Sequence, residues 1–218
     1  MFGFLKKKNN QDNGEKVYLA DRGQSDARPQ GPWAQAQTMM DQGRTAEALE
    51  QFARAAVQTR DLSHMDMAEG WLSDQALLDR AGEEAVCRFV AFLTQVLDPM
   101  ESVQRQRLWD ACLQALRGLG DNTAPRQDMT NRYTTECVLL RHMGRPEEGL
   151  KVAQEGISRH KAASCYTFAG LCCLDLDDPE GAEDYVMDGL KLDPQNLAPC
   201  NDLADYFLNH RILDKAIE

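Results

Sequence analysis

Residues 166–196 read YTFAGLCCLDLDDPEGAEDYVMDGLKLDPQN, and every other segment of the chain reads best as a variant of this stretch. An aromatic residue, Tyr166, is followed three residues on by the small pair Ala169-Gly170, and an acidic turn, Asp177-Asp178-Pro179, comes next. Ala182 and, seven residues further, Gly189 lead to Asp193-Pro194. Small residues at helical spacing on both sides of a turn describe two antiparallel helices that approach through notches. Proline early in the second helix forfeits no hydrogen bond, and the acids at its start complement the helix dipole.

The pattern recurs in both directions. Residues 133–158, YTTECVLLRHMGRPEEGLKVAQEGIS, place Tyr133, Cys137, Gly144, Gly149, Ala153 and Gly156 on the same positions. Gly144 and Asp177 are 177 − 144 = 33 residues apart. Residues 33–58, WAQAQTMMDQGRTAEALEQFARAAVQ, align through Ala36, Gly43, Ala48, Phe52 and Ala55. Gly43 suits a left-handed helix end and Thr45 suits a cap, which predicts helices over 32–42 and 45–59. Another copy begins at Leu197, with Cys200, Leu203, Ala204 and Phe207 in its first helix and its second starting at Leu213. That second helix stops about two turns short of the pattern, so the repeat wants a neighbour or a capping helix.

Two segments fit less well. Aligning Asp98-Pro99 with Asp193-Pro194 sets Trp71 on the aromatic position and Gly82 on the turn glycine, but puts Gln75, Cys87 and Thr94 where small residues belong. Residues 101–119, ESVQRQRLWDACLQALRGL, carry an apolar stripe at Leu108, Cys112, Ala115 and Leu119 without repeat markers. The reading is one unpaired helix followed by a loop over 121–126, which divides the chain into a tail over 1–30, an N-terminal half over 31–120 and a C-terminal half over 125–218.

With 218 residues, 43% of them hydrophobic, the chain can bury a substantial core. No apolar run approaches the roughly 20 residues of a spanning helix. The formal charge is −11; residues 1–30 hold six Lys or Arg against four acids, a net of +2, which leaves −13 for the remainder. An acidic body repels phosphate backbones and argues against nucleic acid as the ligand. The seven cysteines are odd in number and spread through helical patterns, so they read as reduced core thiols in the cytoplasm. The tail is too polar to offset its own ordering entropy and reads as disordered. Within it Phe2, Phe4 and Leu5 followed by Lys6, Lys7 and Lys8 suit the surface of an anionic membrane.

No catalytic, metal or cofactor site emerges. Cys172-Cys173 with Cys165 contain no C-x-x-C pair. Asp175, Asp177 and Asp178 open like a calcium loop, but Glu180 stands where its glycine belongs and Val186 where its bidentate glutamate belongs. His64, His142, His160 and His210 are isolated.

On Tyr166, Ala169, Gly170, Ala182, Gly189 and Pro194 the chain resembles a tetratricopeptide-repeat (TPR) protein, with Cys173 and Val186 in place of the usual large aromatics. The resemblance implies an all-α fold: an α-solenoid of helix-turn-helix repeats in a right-handed superhelix whose first helices line a concave groove. Its groove positions fall on Asn131, Thr134, Val138, Arg141 and His142, then Ser164, Thr167, Leu171, Leu174 and Asp175, then Asn201, Asp205, Leu208 and Asn209. In the N-terminal half they fall on Trp33, Gln37, Met40 and Asp41, then Glu69, Leu72, Ala76, Asp79 and Arg80. The family's carboxylate clamp for chaperone tails is not met, because its places hold Thr134, Val138, Phe168, Ala198 and Asp202. The expected function is a non-catalytic scaffold that binds a protein or peptide. The alternatives are a docking region of a longer enzyme, its catalytic domain after residue 218, and a membrane adaptor tethered by residues 2–8.

Overall fold

A computed structural model describes residues 31–59, 62–96, 102–120 and 131–209. Among the described residues the chain is all-α, with eleven helices and no strand. The first five are α1 (Pro32–Asp41), α2 (Thr45–Thr59), α3 (Met65–Leu72), α4 (Gln75–Ala81) and α5 (Glu83–Val96). Then come α6 (Ser102–Gly118), α7 (Arg132–His142), α8 (Pro146–His160), α9 (Ala163–Asp175), α10 (Pro179–Leu192) and α11 (Ala198–Asn209).

Three of the inter-helix turns share one geometry. Gly43 has φ 75°, Gly144 has φ 70° and Asp177 has φ 59°, each in the left-handed region. The following amide then folds back five residues, from Arg44 to Met39 O (2.9 Å), Arg145 to Leu140 O (2.8 Å) and Asp178 to Cys173 O (2.9 Å). This closure satisfies carbonyls that the helix end leaves without partners. The Ala48 and Gly149 amides bond to the carbonyls of Arg44 and Arg145, so Arg44, and not Thr45, holds the N-cap position of α2. Asp178 caps α10 by accepting from the Gly181 amide at 3.0 Å.

Each such turn folds a hairpin: α1 on α2, α7 on α8, α9 on α10. Helix α9 also packs on α7 and α8, and α11 packs on α9 and α10. The seam between α7, α8 and α9 is narrow because its residues are small. Cys137, Ala153, Ala169 and Cys172 form its core, and a methyl group on Gly156 would stand 2.7 Å from Cys165 Sγ.

The N-terminal part packs around Phe52, which is fully buried and meets Trp33, Trp71 and Phe89 at ring-centroid distances of 4.9, 5.5 and 5.5 Å. Burying such a ring stabilises the fold by about 1.5–3 kcal/mol. The helix aligned on Trp71 is broken. Ser73 closes α3 with its hydroxyl donating to Glu69 O at 2.8 Å, and Asp74 caps α4 by accepting from the Leu77 amide at 3.1 Å. Two strong local hydrogen bonds to backbone compete with helix continuation and win.

Helix α6 is not unpaired, contrary to the expectation from its missing repeat markers. It packs on α3, α4, α5 and α7, and its Leu108, Cys112 and Leu116 belong to a core that runs on to Leu139 and Leu140 of α7. An ionic junction fastens the same place. Arg117 Nε donates to Glu136 Oε1 at 2.7 Å, and Arg132 Nε lies 4.0 Å from the other oxygen of a carboxylate that is only 3% exposed. The Arg132 amide donates to Glu83 at 3.0 Å and its guanidinium to Leu119 O at 3.2 Å. The tail over 1–30, the loop over 121–126, Asp98-Pro99 and the segment from Leu213 onward all lie outside the described residues.

Candidate functional site

The positions assigned to a groove on α7, α9 and α11 divide into a closed set and an open set. Asn131 is the N-cap of α7: its side chain accepts from the Thr134 amide at 3.0 Å, and its Nδ2 donates to Ser164 Oγ at 3.4 Å. Thr134 returns the bond as an acceptor for the Asn131 amide at 3.3 Å and is 1% exposed. Thr167 is 6% exposed and donates to Ala163 O at 3.4 Å. The polar atoms at this end are engaged within the helices. The physical reason is the narrow seam: small residues bring α7 and α9 so close that their first turns bury one another.

The open set lies at the other end. Arg141 Nε donates to Asp175 Oδ2 at 2.5 Å and Nη2 to Oδ1 at 3.1 Å, a bidentate pair that bridges the last turns of α7 and α9. Burial works against the guanidinium's charge, but the bond and charge of Asp175, with Asp202 beyond, outweigh it and hold its pKa above the ordinary value. With Val138, His142 and Pro146 the pair lines an open depression of about 430 Å³. Leu171 is half-buried on α9; Asn201, Asp205, Leu208 and Asn209 are exposed on α11. The Tyr206 hydroxyl donates to Asp177 and so ties α11 to the turn between α9 and α10.

This surface is acidic. Asp175 already answers Arg141, Asp202 adds its charge at Arg141, and Asp205 stands exposed on α11. A ligand bearing Lys or Arg side chains gains from that field, and one with a free carboxylate does not.

The corresponding N-terminal positions are occupied differently. Met40 and Leu72 are buried, and Trp33 lies against Phe52 and His64. Glu69 receives both bonds of Arg107 at 2.8 and 2.9 Å. They serve packing between α1, α2, α3 and α6. A second depression, about 400 Å³ between α2 and α5, has Ala46, Ala53, Ala81 and Ala85 in its walls. The sequence hinted at it only through those small residues. Its Glu50 and Glu84 pair with Arg54 and Arg88.

Phe2, Phe4, Leu5, Lys6, Lys7 and Lys8 lie outside the described residues. Among the described residues no helix is long and apolar enough to cross a membrane, and no three His, Cys, Asp or Glu side chains converge as metal ligands would. No protein-family model matches the chain and no curated protein matches it.

Proposed function

We propose that the chain is a non-catalytic interaction scaffold, an α-solenoid of TPR-like helix pairs whose concave side receives a peptide or partner helix. The observation that carries this reading is the packing order of the C-terminal helices. Helix α7 packs on α9 and α9 on α11, while α8 fills the angle between the first two and α10 the angle between the second two. Helices α8 and α10 begin at Pro146 and Pro179, 179 − 146 = 33 residues apart. A unit that repeats at this period buries its apolar face only against its neighbours, and the curved surface left over is where such stacks bind. The groove is centred on Arg141, Asp175, Leu171 and Asp205, and it selects extended or helical segments with basic side chains.

The test begins with peptides selected from a random library against the full chain, with affinities measured by fluorescence anisotropy. Asp175→Ala, Leu171→Ala and Asp205→Ala each weaken binding by about tenfold, which is about 1.4 kcal/mol. Lys151→Ala, exposed on α8, leaves it unchanged. Affinities indifferent to all three groove substitutions would place the ligand elsewhere.

A further inference from the structure

The depression between α2 and α5 shares no residue with the one lined by Arg141 and Asp175. Its bottom is apolar: Leu49 and Phe89, nearly fully buried, stand among four alanines, whose single methyl groups leave open a space that larger side chains would fill. At about 400 Å³ it falls within the size of pockets that enclose a ligand. Along α2 the same face continues through positions 46, 50, 53 and 57 to Val57, an aliphatic side chain 63% exposed. The rim is charged. Of the lining residues Glu47, Glu50 and Glu84 are acidic and Arg88 is basic, a balance of 1 − 3 = −2. The acids are answered by Arg44, Arg54 and Arg88, each three or four residues away. No partner in these pairs is less than 42% exposed, so each pair is weak and exchanges readily for another cation.

The segments outside the described residues differ in what they could bring to such a slot. Residues 97–101 and 121–130 are net acidic, and residues 60–61 and 210–218 hold Lys or Arg and acids in equal number. Residues 1–10, MFGFLKKKNN, hold three lysines and no acid, and the lysines directly follow Phe2, Phe4 and Leu5. We propose that residues 2–8 dock in the α2–α5 depression of their own chain, with Phe2, Phe4 and Leu5 on its apolar floor and Lys6, Lys7 and Lys8 against Glu47, Glu50 and Glu84.

The connection is long enough. Residues 9–30 number 22 and span up to about 73 Å when extended. Helix α1, which they precede, packs on α2, and α2 packs on α5, with the axes of packed helices about 8–10 Å apart. Docking within one chain also requires little intrinsic affinity, because the tether holds the segment at an effective concentration on the order of millimolar. The two halves of the segment cannot exchange places: lysines over Leu49 and Phe89 would lose water without gaining a partner. Apolar burial therefore sets the position and the acidic rim sets the direction. The docking is independent of the ligand taken by α7, α9 and α11.

The experiment couples carboxylates to amines in the full chain with a water-soluble carbodiimide and maps the linked peptides by mass spectrometry. The expected links join Lys6, Lys7 or Lys8 to Glu47, Glu50 or Glu84, in a yield that does not change on dilution, as for a contact within one molecule. Phe4→Ser keeps every lysine and lies outside the described helices; it lowers that yield by about half or more, since it removes an apolar anchor. Ala53→Arg, its fold checked by circular dichroism, fills the depression and lowers the yield in the same way. Links that run chiefly to Asp175, Asp202 and Asp205, links that vanish on dilution, or a yield indifferent to Phe4→Ser would each overturn the proposal. So would links without preference in a chain that floats with phosphatidylserine vesicles through the same residues, which would assign the segment to a membrane surface.

Discussion

Replacing Gly156 with alanine places one methyl group in the seam between α8 and its neighbours, and the surroundings fix the sign of the effect. The new carbon would stand 2.7 Å from Cys165 Sγ and 3.0 Å from both Cβ and Cγ of Tyr133. Carbon atoms in comfortable contact sit about 3.5–4.0 Å apart. The Cβ of Tyr133 is anchored directly to the backbone, so no rotamer change relieves the clash; α7 must move as a body. Overpacking of this kind costs about 1–3 kcal/mol, and alanine returns about 1 kcal/mol of helix propensity. With three contacts this short the upper part of the range applies, for a net loss of about 1–2 kcal/mol. Gly70 provides the control: it is exposed on α3 with nothing within 4 Å of an added methyl. There the same chemical change stabilises by about 1 kcal/mol. The two variants therefore differ by about 2–3 kcal/mol, or roughly 5–10 °C in midpoint for a chain of this size. Thermal and urea unfolding followed by far-ultraviolet circular dichroism measures both. Equal stabilisation by the two substitutions would mean that α7 and α8 are not in close contact at Gly156.

Two further outcomes are expected. Arg117→Ala leaves the nearly buried Glu136, among the described residues, with Arg132 at 4.0 Å as its ion-pair partner, and costs about 2 kcal/mol in urea unfolding. That is below the range for a fully buried pair because Arg117 is itself 46% exposed; a loss under about 0.5 kcal/mol would class the junction with ordinary surface pairs. The Glu148 carboxyl is held below its ordinary value of 4.5, chiefly by the hydrogen bond from Arg145, with burial opposing and the charges of Arg145 and Arg117 adding to the lowering. A depressed carboxylate contributes stability that is full above the unfolded pKa and disappears as pH falls through the folded one. Urea midpoints should therefore fall less steeply below pH 4.5 in Glu148→Gln than in the parent, and parallel profiles would remove Glu148 from the acid response.

What the sequence disclosed and what it withheld follow from where each feature's energy lies. Gly43 and Gly144 were legible as helix ends because a backbone with φ near 70° is local chemistry. Ala48, Phe52 and Ala55 were legible because periodicity is local too, and all three are fully buried on α2. The break at Ser73-Asp74 was also local, but the alignment on Trp71 overrode the capping residues that signalled it. The packing of α6 and the burial of Glu136 were not readable, since an acid becomes a core residue only through an arginine nineteen positions away. The site divided on the same line. Repeat position assigned Thr134 and Thr167 to an open surface, and the close approach of α7 and α9, a tertiary fact, covers them. Arg141 and Asp175 were named individually, yet their pairing required the helices to be placed side by side.

The third turn departs from the other two in one residue: Asp177 stands in a left-handed conformation where Gly43 and Gly144 stand in theirs. A side chain there adds strain that glycine avoids, but it also supplies the acceptor for Tyr206. Helix α11 is otherwise moored lightly, with only Pro199 and Phe207 buried among its residues. The last of the described helices is thus held in part by a latch located in a bend. Amide exchange in α11 should accordingly outpace that in α9 by orders of magnitude, as expected of a unit that can peel away by itself.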